Sequence, residues 1–159
     1  MGMSDFTEPR RIADTDDITG FQCGVPIVDN WLYTHLKNAG RRHTAVAYGS
    51  FHEGRLAGFY TLSSYAVRRE AARGWLGRNA PDPVPAILLG MLGVDIRYQT
   101  RHLGSKLLKN AVERALSASE IIGARALMVE PVSQHAAGFY ERFGFRPVTG
   151  SDILYIPLK

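Results

Sequence analysis

Cysteine is nearly absent from this sequence: the 159 residues include a single one, Cys23. One thiol cannot form a disulfide within the chain, so a reducing, cytoplasmic compartment is expected. Long hydrophobic runs are missing as well. The longest, Ala86–Val94, is far shorter than the roughly 20 apolar residues that a membrane-spanning helix needs, and residues 1–11 contain no apolar core of a signal peptide. We therefore expect neither membrane association nor export.

Metal-ligand clusters, repeats and low-complexity linkers are also lacking. The histidines His35, His43, His52 and His135 do not have the spacing of metal ligands, and no Cys/His cluster exists, so no metal is expected. What is present is a composition with 45% hydrophobic and 21% charged residues, which excludes disorder. Without a linker to divide it, the chain is predicted to form one domain over residues 1–159.

The formal net charge of +4 is unevenly distributed along the chain. Residues 1–30 carry six acidic and two basic residues, whereas the remainder holds 17 basic and 9 acidic residues, a net of +8. Of the 19 basic residues, 15 are arginine, the side chain suited to bidentate contacts with phosphate. A basic segment of this kind can bind a nucleic acid or a phosphorylated cofactor, or it can simply be solvated.

Hydrophobic spacing predicts an α/β chain whose elements follow the order α, β-hairpin, β, α, β, α, β, β. Strand–helix–strand crossovers in its middle predict parallel neighbouring strands in a mixed sheet with helices packed on it. The first helix is predicted over Asp29–Ala39, with Pro26 in its first turn and Gly40 as its end. A second helix begins near Leu103 and ends at Gly123, and a third runs from a Ser133 cap to Phe143 and ends at Gly144. The predicted strands are Thr44–Phe51, Arg55–Val67, Ala86–Val94, Ala124–Glu130, Phe145–Val148 and Asp152–Leu158.

The most informative segment is the turn between the strand that ends at Val94 and the helix that begins near Leu103. The first N–H groups of a helix have no partner within it, and the helix dipole favours anions there. Gly104 allows a ligand to approach the backbone, and Arg101 adds a cation. These features fit a phosphate cradle. An ordinary strand-to-helix turn with a surface arginine explains the same residues, so both interpretations stay open on physical grounds.

Two segments carry a family resemblance. Residues 99–105 resemble the acetyl-CoA-binding motif of the GNAT N-acetyltransferase superfamily, Gln/Arg-x-x-Gly-x-Gly/Ala, with His102 in place of the first glycine. Residues 136–145 are similar to the family's A-x-x-F-Y-x-x-x-G-F, and the two motifs occur in the family's order and separation. The resemblance implies the GNAT fold, an α+β architecture with a mixed central β-sheet flanked by helices, and acetyl-CoA as donor. The cofactor-binding residues that it implies are Leu92, Gly93, Val94, Gln99, Thr100, Arg101, His102, Leu103, Gly104, Ser105 and Ser133, the last in place of the family's asparagine.

The glycine that His102 replaces permits a positive φ and a close approach of pyrophosphate. Histidine enters the left-handed region more readily than a β-branched residue does, although at some cost. The His102 imidazole could contact the phosphate, or its bulk could narrow the site.

Three further segments, Phe21–Gly24, Gly58–Ser63 and Pro83–Leu89, are similar to the TacT-type toxins of bacterial toxin–antitoxin pairs, with Met91 where members often carry arginine. This resemblance implies acetylation of the α-amino group of aminoacyl-tRNA, which blocks translation. It also implies a homodimer and a DNA-binding antitoxin whose C-terminal tail covers the active site. Two alternatives stay open: an N-acetyltransferase of a small amine or a protein N-terminus, and a catalytically weak GNAT-fold binding protein.

The family motif identifies Tyr140 as the catalytic residue. A tyrosine hydroxyl, with a pKa of about 10, can donate a proton to the departing thiolate, whereas plain packing in the core is the alternative for an aromatic residue on a short helix. The backbone N–H groups of Leu92–Val94 would polarise the acetyl carbonyl. No obvious general base is present: Glu130, at the end of a central strand, is one option, and a surface or capping role explains it equally well. An α-amino group titrates near pH 8, against about 10.4 for lysine, so an α-amine acceptor has less need of a base.

Arginines form two candidate tRNA-binding groups. Arg41 and Arg42 follow the first helix, and the others lie on the long connection Arg68–Pro85, whose length is typical of a functional loop. We predict a contiguous basic face that flanks the active site and binds tRNA with a steep salt dependence, although for any one of these arginines simple solvation explains the charge. The second group comprises Arg68, Arg69, Arg73 and Arg78.

Overall fold

The computed structural model describes residues 5–159. In this part of the chain, seven strands form one sheet in the order β1-β2-β3-β4-β5-β7-β6. Strands β4 and β5 are parallel, whereas the pairs β1–β2, β2–β3, β5–β7 and β6–β7 are antiparallel, so the predicted mixed sheet is confirmed. The elements are β1 Arg10–Arg11, α1 Pro26–Arg42, β2 Val46–His52, β3 Arg55–Val67, β4 Val84–Val94, α2 Leu103–Ile122, β5 Ala126–Val129, α3 Gln134–Phe143, β6 Arg146–Pro147 and β7 Leu154–Pro157, with short 3-10 turns at Gly74–Gly77 and Ile96–Tyr98.

The chain divides into two compact units. The first contains the residues up to 62 together with 91–111, and the second contains 63–90 together with 112–159. Among the described residues, no helix is long and apolar enough to cross a membrane.

The core of the first unit is built from the apolar face of α1 and the strands β2 and β3. Phe21 and Phe59 meet edge to face with their ring centres 5.5 Å apart, and Trp31 stacks on Phe59 at 6.1 Å. From α1, Val28 and Leu32 are buried against this group. Burial of each such large side chain stabilises the fold by about 1.5–3 kcal/mol.

Helix α1 is longer than the sequence predicts. It runs from Pro26 to Arg42, and Pro26 occupies the first turn as expected. Gly40 does not end it, which corrects the prediction: the left-handed cap residue is His43, at φ 58°, and its N–H lies against the carbonyls of Ala39 and Gly40. Basic residues in the last turn complement the negative end of the helix dipole and extend the helix past the glycine.

The second unit has its own core, in which strands β4, β5 and β7 pack with the turn at Gly74–Gly77. Leu76, Val84, Ala126 and Met128 are buried in it, and Trp75 stacks on Tyr155 with nearly parallel rings 5.9 Å apart. Helix α3 confirms the predicted boundaries. Its cap is Ser133, whose Oγ accepts from the Ala136 N–H, and Gly144 ends it at φ 117°.

The strands differ from the predictions mainly at their ends. β3 has the predicted limits, and α2 ends at Ile122 before Gly123, at φ 76°, as expected. β5, β6 and β7 are shorter than predicted, whereas β4 begins two residues earlier than expected. The two-residue strand β1 was not predicted, because the pair Arg10–Arg11 has no hydrophobic alternation.

Candidate active site

The turn that leads into α2 contains a residue in the left-handed conformation. His102 has φ 63°, a conformation that glycine, the residue of the family motif at this position, adopts readily. Its carbonyl accepts from the Lys106 N–H at 3.2 Å, so the helical hydrogen bonds begin at this residue. Holding a non-glycine residue there costs on the order of 1 kcal/mol. The turn therefore has the backbone shape that a glycine would adopt.

Packing against β3 fixes the first turn of α2. Leu103 is buried, and a Cβ added to Gly58 would lie 3.2 Å from its Cδ2 and 2.8 Å from Cδ1 of Leu107. The glycine thus lets the helix lie close to the strand. Thr100 and Ser105 stay exposed. The N–H groups at this helix start have no partner within the helix, which suits them to an anion, while the Leu103 side chain belongs to the core.

The Gln99 side chain shapes the turn from within. Its Nε2 donates to the carbonyl of Cys23 at 2.7 Å and to the carbonyl of Val94 at 2.9 Å. It therefore ties the turn to the end of β4 and to the segment before α1. Because both hydrogen bonds go to protein carbonyls, we infer that Gln99 serves a cofactor site by positioning the turn.

Asp95, directly after β4, is a buried carboxylate that sequence reasoning missed. It accepts from the Gln22 N–H at 3.2 Å, from the Arg97 N–H at 2.9 Å and from Arg97 Nε at 2.9 Å. Burial acts to raise the pKa of this carboxyl, but the hydrogen bonds from Arg97 and Gln22 outweigh it, and the pKa is lowered. A charged Asp95 therefore braces the chain just before the turn.

The Arg101 side chain lies at the surface near the turn. Its guanidinium is 3.9 Å from Asp5 and 5.8 Å from the ring centre of Tyr98. An exposed ion pair of this kind stabilises the fold by at most about 1 kcal/mol. Neither contact therefore prevents the guanidinium from acting as a cation at the start of the turn.

The last part of β4, which contains Leu92, Gly93 and Val94, extends beyond its neighbour β5. β5 ends at Val129, the partner of Leu89, whereas β4 continues to Val94. The Met91 N–H donates to the side-chain oxygen of Thr61 at 2.9 Å. Backbone groups of a strand that outruns its neighbour are available to a ligand.

Close packing accounts for Gly93 in this segment. A Cβ there would lie 2.9 Å from Val28 Cγ1 and 3.2 Å from Cys23 Sγ. Cys23 itself is a packed residue and not a nucleophile. Burial is the main cause that raises the pKa of its thiol to about 11, so the thiolate is scarce at neutral pH.

On α3, Tyr140 has a buried ring. It is 6% exposed and packs edge to face against Phe139 at 5.3 Å and Phe145 at 5.6 Å. Burial raises the pKa of its phenol well above the usual value of 10, so the hydroxyl keeps its proton at any physiological pH. The packing interpretation of the ring is therefore correct, and it leaves the hydroxyl group to be explained.

The Tyr140 hydroxyl has no hydrogen-bond partner among residues 5–159. Within the same part of the chain, no fully buried side-chain nitrogen or oxygen lacks a partner. The hydroxyl oxygen of Tyr140 therefore reaches the surface, although the ring is enclosed. A protonated hydroxyl held by a rigid aromatic ring and open at its tip can donate a proton to a bound molecule.

The predicted tRNA-binding arginines occupy two places. Arg41 and Arg42 are exposed in the last turn of α1, and the other four lie between β3 and β4. Arg68 makes an exposed ion pair with Glu70 at 3.8 Å. Arg69 instead holds the loop together: its N–H donates to Asp82 Oδ1 at 3.0 Å and its guanidinium to the Ala80 carbonyl at 3.0 Å. Arg73 and Arg78 are exposed.

Arg125 holds this loop in place, a role that the sequence did not predict. Arg125 donates to the carbonyls of Leu76 at 2.8 Å, Trp75 at 2.9 Å and Arg78 at 3.1 Å. A single arginine at the start of a strand carries no local signal of such a role, because its partners lie 47–50 residues away in sequence.

Comparison with known proteins identifies the family. The sequence model of the acetyltransferase (GNAT) domain matches residues 40–147. A tRNA-acetylating toxin of Mycobacterium tuberculosis is 39% identical, and the match covers 98% of this chain and 93% of that protein. The chain belongs to the GNAT acetyltransferase family. Both motifs, residues 99–105 and 136–145, fall within the matched region, and the predicted fold and enzyme class are confirmed.

Solved structures agree with this assignment. AtaT complexed with acetyl-methionyl-tRNAfMet superimposes on this GNAT protein with a TM-score of 0.86 and 28% identity, covering 96% of this chain and 95% of that one. An AtaT variant bound to acetyl-CoA and to the C-terminus of the antitoxin AtaR gives a TM-score of 0.82 at 28% identity, with 98% and 94% covered. These likenesses extend over nearly the whole chain.

Proposed function

We propose that this GNAT protein transfers the acetyl group of acetyl-CoA to the α-amino group of aminoacyl-tRNA and thereby blocks translation. The observation that carries the proposal within the chain is the Tyr140 hydroxyl, protonated and open at the end of a buried ring. Two relatives support the substrate class: one is named a tRNA-acetylating toxin, and AtaT is solved with an acetylated aminoacyl-tRNA.

The residues fit acetyl-CoA as the donor. The left-handed residue His102, Gly104 and the start of α2 offer backbone N–H groups to a pyrophosphate. The end of β4, at Leu92–Val94, offers backbone groups beyond the last pair with β5. Bound acetyl-CoA supplies an acetyl thioester, an activated acyl group. Within the cofactor set, Ser133 contributes by capping α3, and Gln99 contributes by holding the turn.

Each catalytic task has a candidate in the chain. N–H groups of Leu92–Val94 polarise the carbonyl oxygen on which charge develops. Tyr140 holds a proton at Oη for the departing sulfur, and its raised pKa keeps that proton in place at neutral pH. An α-amine that titrates near pH 8 is partly free base at neutral pH, so the acceptor needs no strong base. Its nitrogen forms a bond to the thioester carbon as the carbon–sulfur bond breaks, and the proton that the nitrogen loses replaces the one that Tyr140 gives to the sulfur.

We also propose binding partners and a compartment for this enzyme, with support from its relatives. Exposed arginines at the end of α1 and on the loop between β3 and β4 would bind tRNA phosphates: Arg41, Arg42, Arg68, Arg73 and Arg78, with Arg69 bracing the loop. AtaT is solved with the C-terminus of its antitoxin, which supports an antitoxin partner whose tail covers the active site. We further propose a cytoplasmic homodimer in which residues 1–159 form one domain.

The test is transfer of labelled acetyl groups to a pool of charged tRNA. The purified chain should label RNA through an alkali-labile aminoacyl ester, and Tyr140→Phe should lower kcat by about a hundredfold or more, the usual contribution of a general acid. Tyr155→Phe is the matched control, since Tyr155 is also 6% exposed; its turnover should equal that of the wild type. Label on peptide N-termini or small amines but not on RNA would reject the tRNA substrate, and full activity of Tyr140→Phe would reject the assignment of the acid.

A further inference from the structure

A cavity of about 290 Å³ lies in the first unit, between the C-terminal half of α1, strand β1 with the residues after it, and the start of β2. We call it the α1 groove. The half-buried apolar side chains of its lining, which include Ile12, Leu36 and Val46, form its floor, and the lining also contains three exposed cations: Arg11, Lys37 and Arg41. It shares no residue with the turn at Gln99–Ser105, which we assign to acetyl-CoA.

The cations of the groove are uncommitted within the described chain. Among residues 5–159, the side chains of Arg11, Lys37 and Arg41 form no ion pair or hydrogen bond. The adjacent Arg10, by contrast, is bound to Asp16 at 2.9 Å. Lys37 and Arg41 are four residues apart on α1 and so lie on the same face of the helix. With Asp14 as the one acid of the lining, the groove carries a net charge of +2.

Gly40 forms part of the wall of the groove and has no structural requirement to be glycine. It lies inside α1 without a positive φ, and an added Cβ would meet nothing within 4 Å. Glycine inside a helix destabilises it by about 1 kcal/mol relative to alanine. A bare backbone at this point leaves open space beside the cations, where any larger side chain would take up part of the groove.

A cationic rim above an apolar floor matches one class of ligand. A nucleotide combines a phosphate, which arginine and lysine bind, with a flat base that packs on apolar surface. A volume of about 290 Å³ is at the lower end for small-molecule sites, which suits a single nucleotide. The carboxylate of Asp14 is an acceptor suited to a ribose hydroxyl, the group that distinguishes RNA from DNA.

We propose that the α1 groove binds one phosphate-bearing nucleotide of the tRNA substrate. Arg11, Lys37 and Arg41 hold the phosphate, and the base lies on the apolar floor. The identification of the ligand as part of tRNA rests on the proposed function, whereas its identification as a nucleotide rests on the groove alone. A free nucleotide presents the same chemistry, so the experiments treat the two sources separately.

The first experiment titrates the full-length, isotopically labelled protein with 5′-AMP and with adenosine while backbone amide resonances are followed by NMR. AMP should shift the amides of Gly40 and Ala47, and adenosine should require at least about a tenfold higher concentration, because it lacks the phosphate. Gly40→Leu should abolish the shift of Ala47. Asn38→Leu, exposed on α1 outside the groove, is the matched control and should leave it intact. Absence of shifts at about 10 mM AMP, or equal shifts in Gly40→Leu, would overturn the proposal.

The second experiment measures binding of deacylated bulk tRNA at several salt concentrations. Lys37→Gln should reduce the slope of log Kd against log salt by about one unit, the effect of one lost phosphate contact. Lys109→Gln removes the same charge from an exposed position on α2 and should leave the slope unchanged. Equal slopes for the two variants would overturn the assignment to tRNA, and AMP binding in the first experiment would then identify a free nucleotide as the ligand. Acetyl transfer to tRNA is measured in a separate assay. If that transfer fails, both binding results can still be interpreted.

Discussion

The guanidinium carbon of Arg125 lies 4.1 Å from the centre of the Trp75 ring, and its nitrogens donate to three carbonyls of the loop between β3 and β4. The other contacts of Trp75 extend this arrangement, since its ring stacks on Tyr155 and lies 5.7 Å from the Lys159 amine. One side chain thus fixes the loop that carries Arg68, Arg73 and Arg78.

Arg125→Met should lower the free energy of unfolding by about 2 kcal/mol, because it leaves three carbonyls without their donor and removes the cation from the Trp75 ring. Arg125→Lys should recover at most half, since an ammonium group cannot reproduce the planar fork. Urea denaturation measures both. The exposed Arg146→Met serves as the control and should stay within about 0.5 kcal/mol of the wild type. Equal stability of Arg125→Met and Arg146→Met would contradict this role of Arg125.

His102 should tolerate glycine and resist a β-branched residue. His102→Gly removes the cost of the left-handed φ and restores the residue of the family motif, so its thermal stability should equal or exceed that of the wild type, and its affinity for acetyl-CoA should not fall. His102→Val should be less stable by about 1–2 kcal/mol, because branching at Cβ disfavours this region. Calorimetry gives both quantities. A valine variant as stable as the glycine variant would show that the turn does not need this conformation.

Cys23 should react slowly with thiol reagents in the folded protein. A pKa of about 11 in place of 9.0 lowers the thiolate fraction at pH 8 by about a hundredfold, and burial hinders access further. Alkylation by iodoacetamide, followed by mass spectrometry, should therefore be at least about a hundredfold slower than in urea-unfolded protein. Fast alkylation of the native chain would mean that the thiol is exposed and ionised.

The pH dependence of turnover should lack an alkaline decline caused by Tyr140. Because burial raises the pKa of the phenol above its usual value of 10, the proton that Tyr140 is proposed to donate is present throughout pH 6–9.5. kcat/KM should rise with pH as the α-amine loses its proton near pH 8 and then level off. Initial rates on charged tRNA, corrected for ester hydrolysis, measure this profile. A decline below pH 9 that disappears in Tyr140→Phe would show that the phenol ionises in the working range.

Local signals predicted the parts of the fold that short segments determine. The limits of β3 and α3 and the Ser133 cap follow from neighbouring residues, because capping and hydrophobic periodicity act over a few positions. The two motifs identified the family for the same reason. At Gly40 the local signal was misleading, and the prediction was wrong because α1 continues past the glycine to Arg42.

Sequence alone determined the family, the order of the main elements and the residues that the acetyl-CoA and tyrosine motifs name. Tertiary structure decided what those residues and their neighbours contact. It showed that Gln99 bonds to protein carbonyls, that Gly93 is glycine because Val28 and Cys23 lie against it, and that Arg125 holds a loop 47–50 residues away. It also brought Arg11 to the same groove as Lys37 and Arg41. Such contacts depend on which distant segments the sheet places side by side, and the spacing of residues along the sequence does not reveal those neighbours.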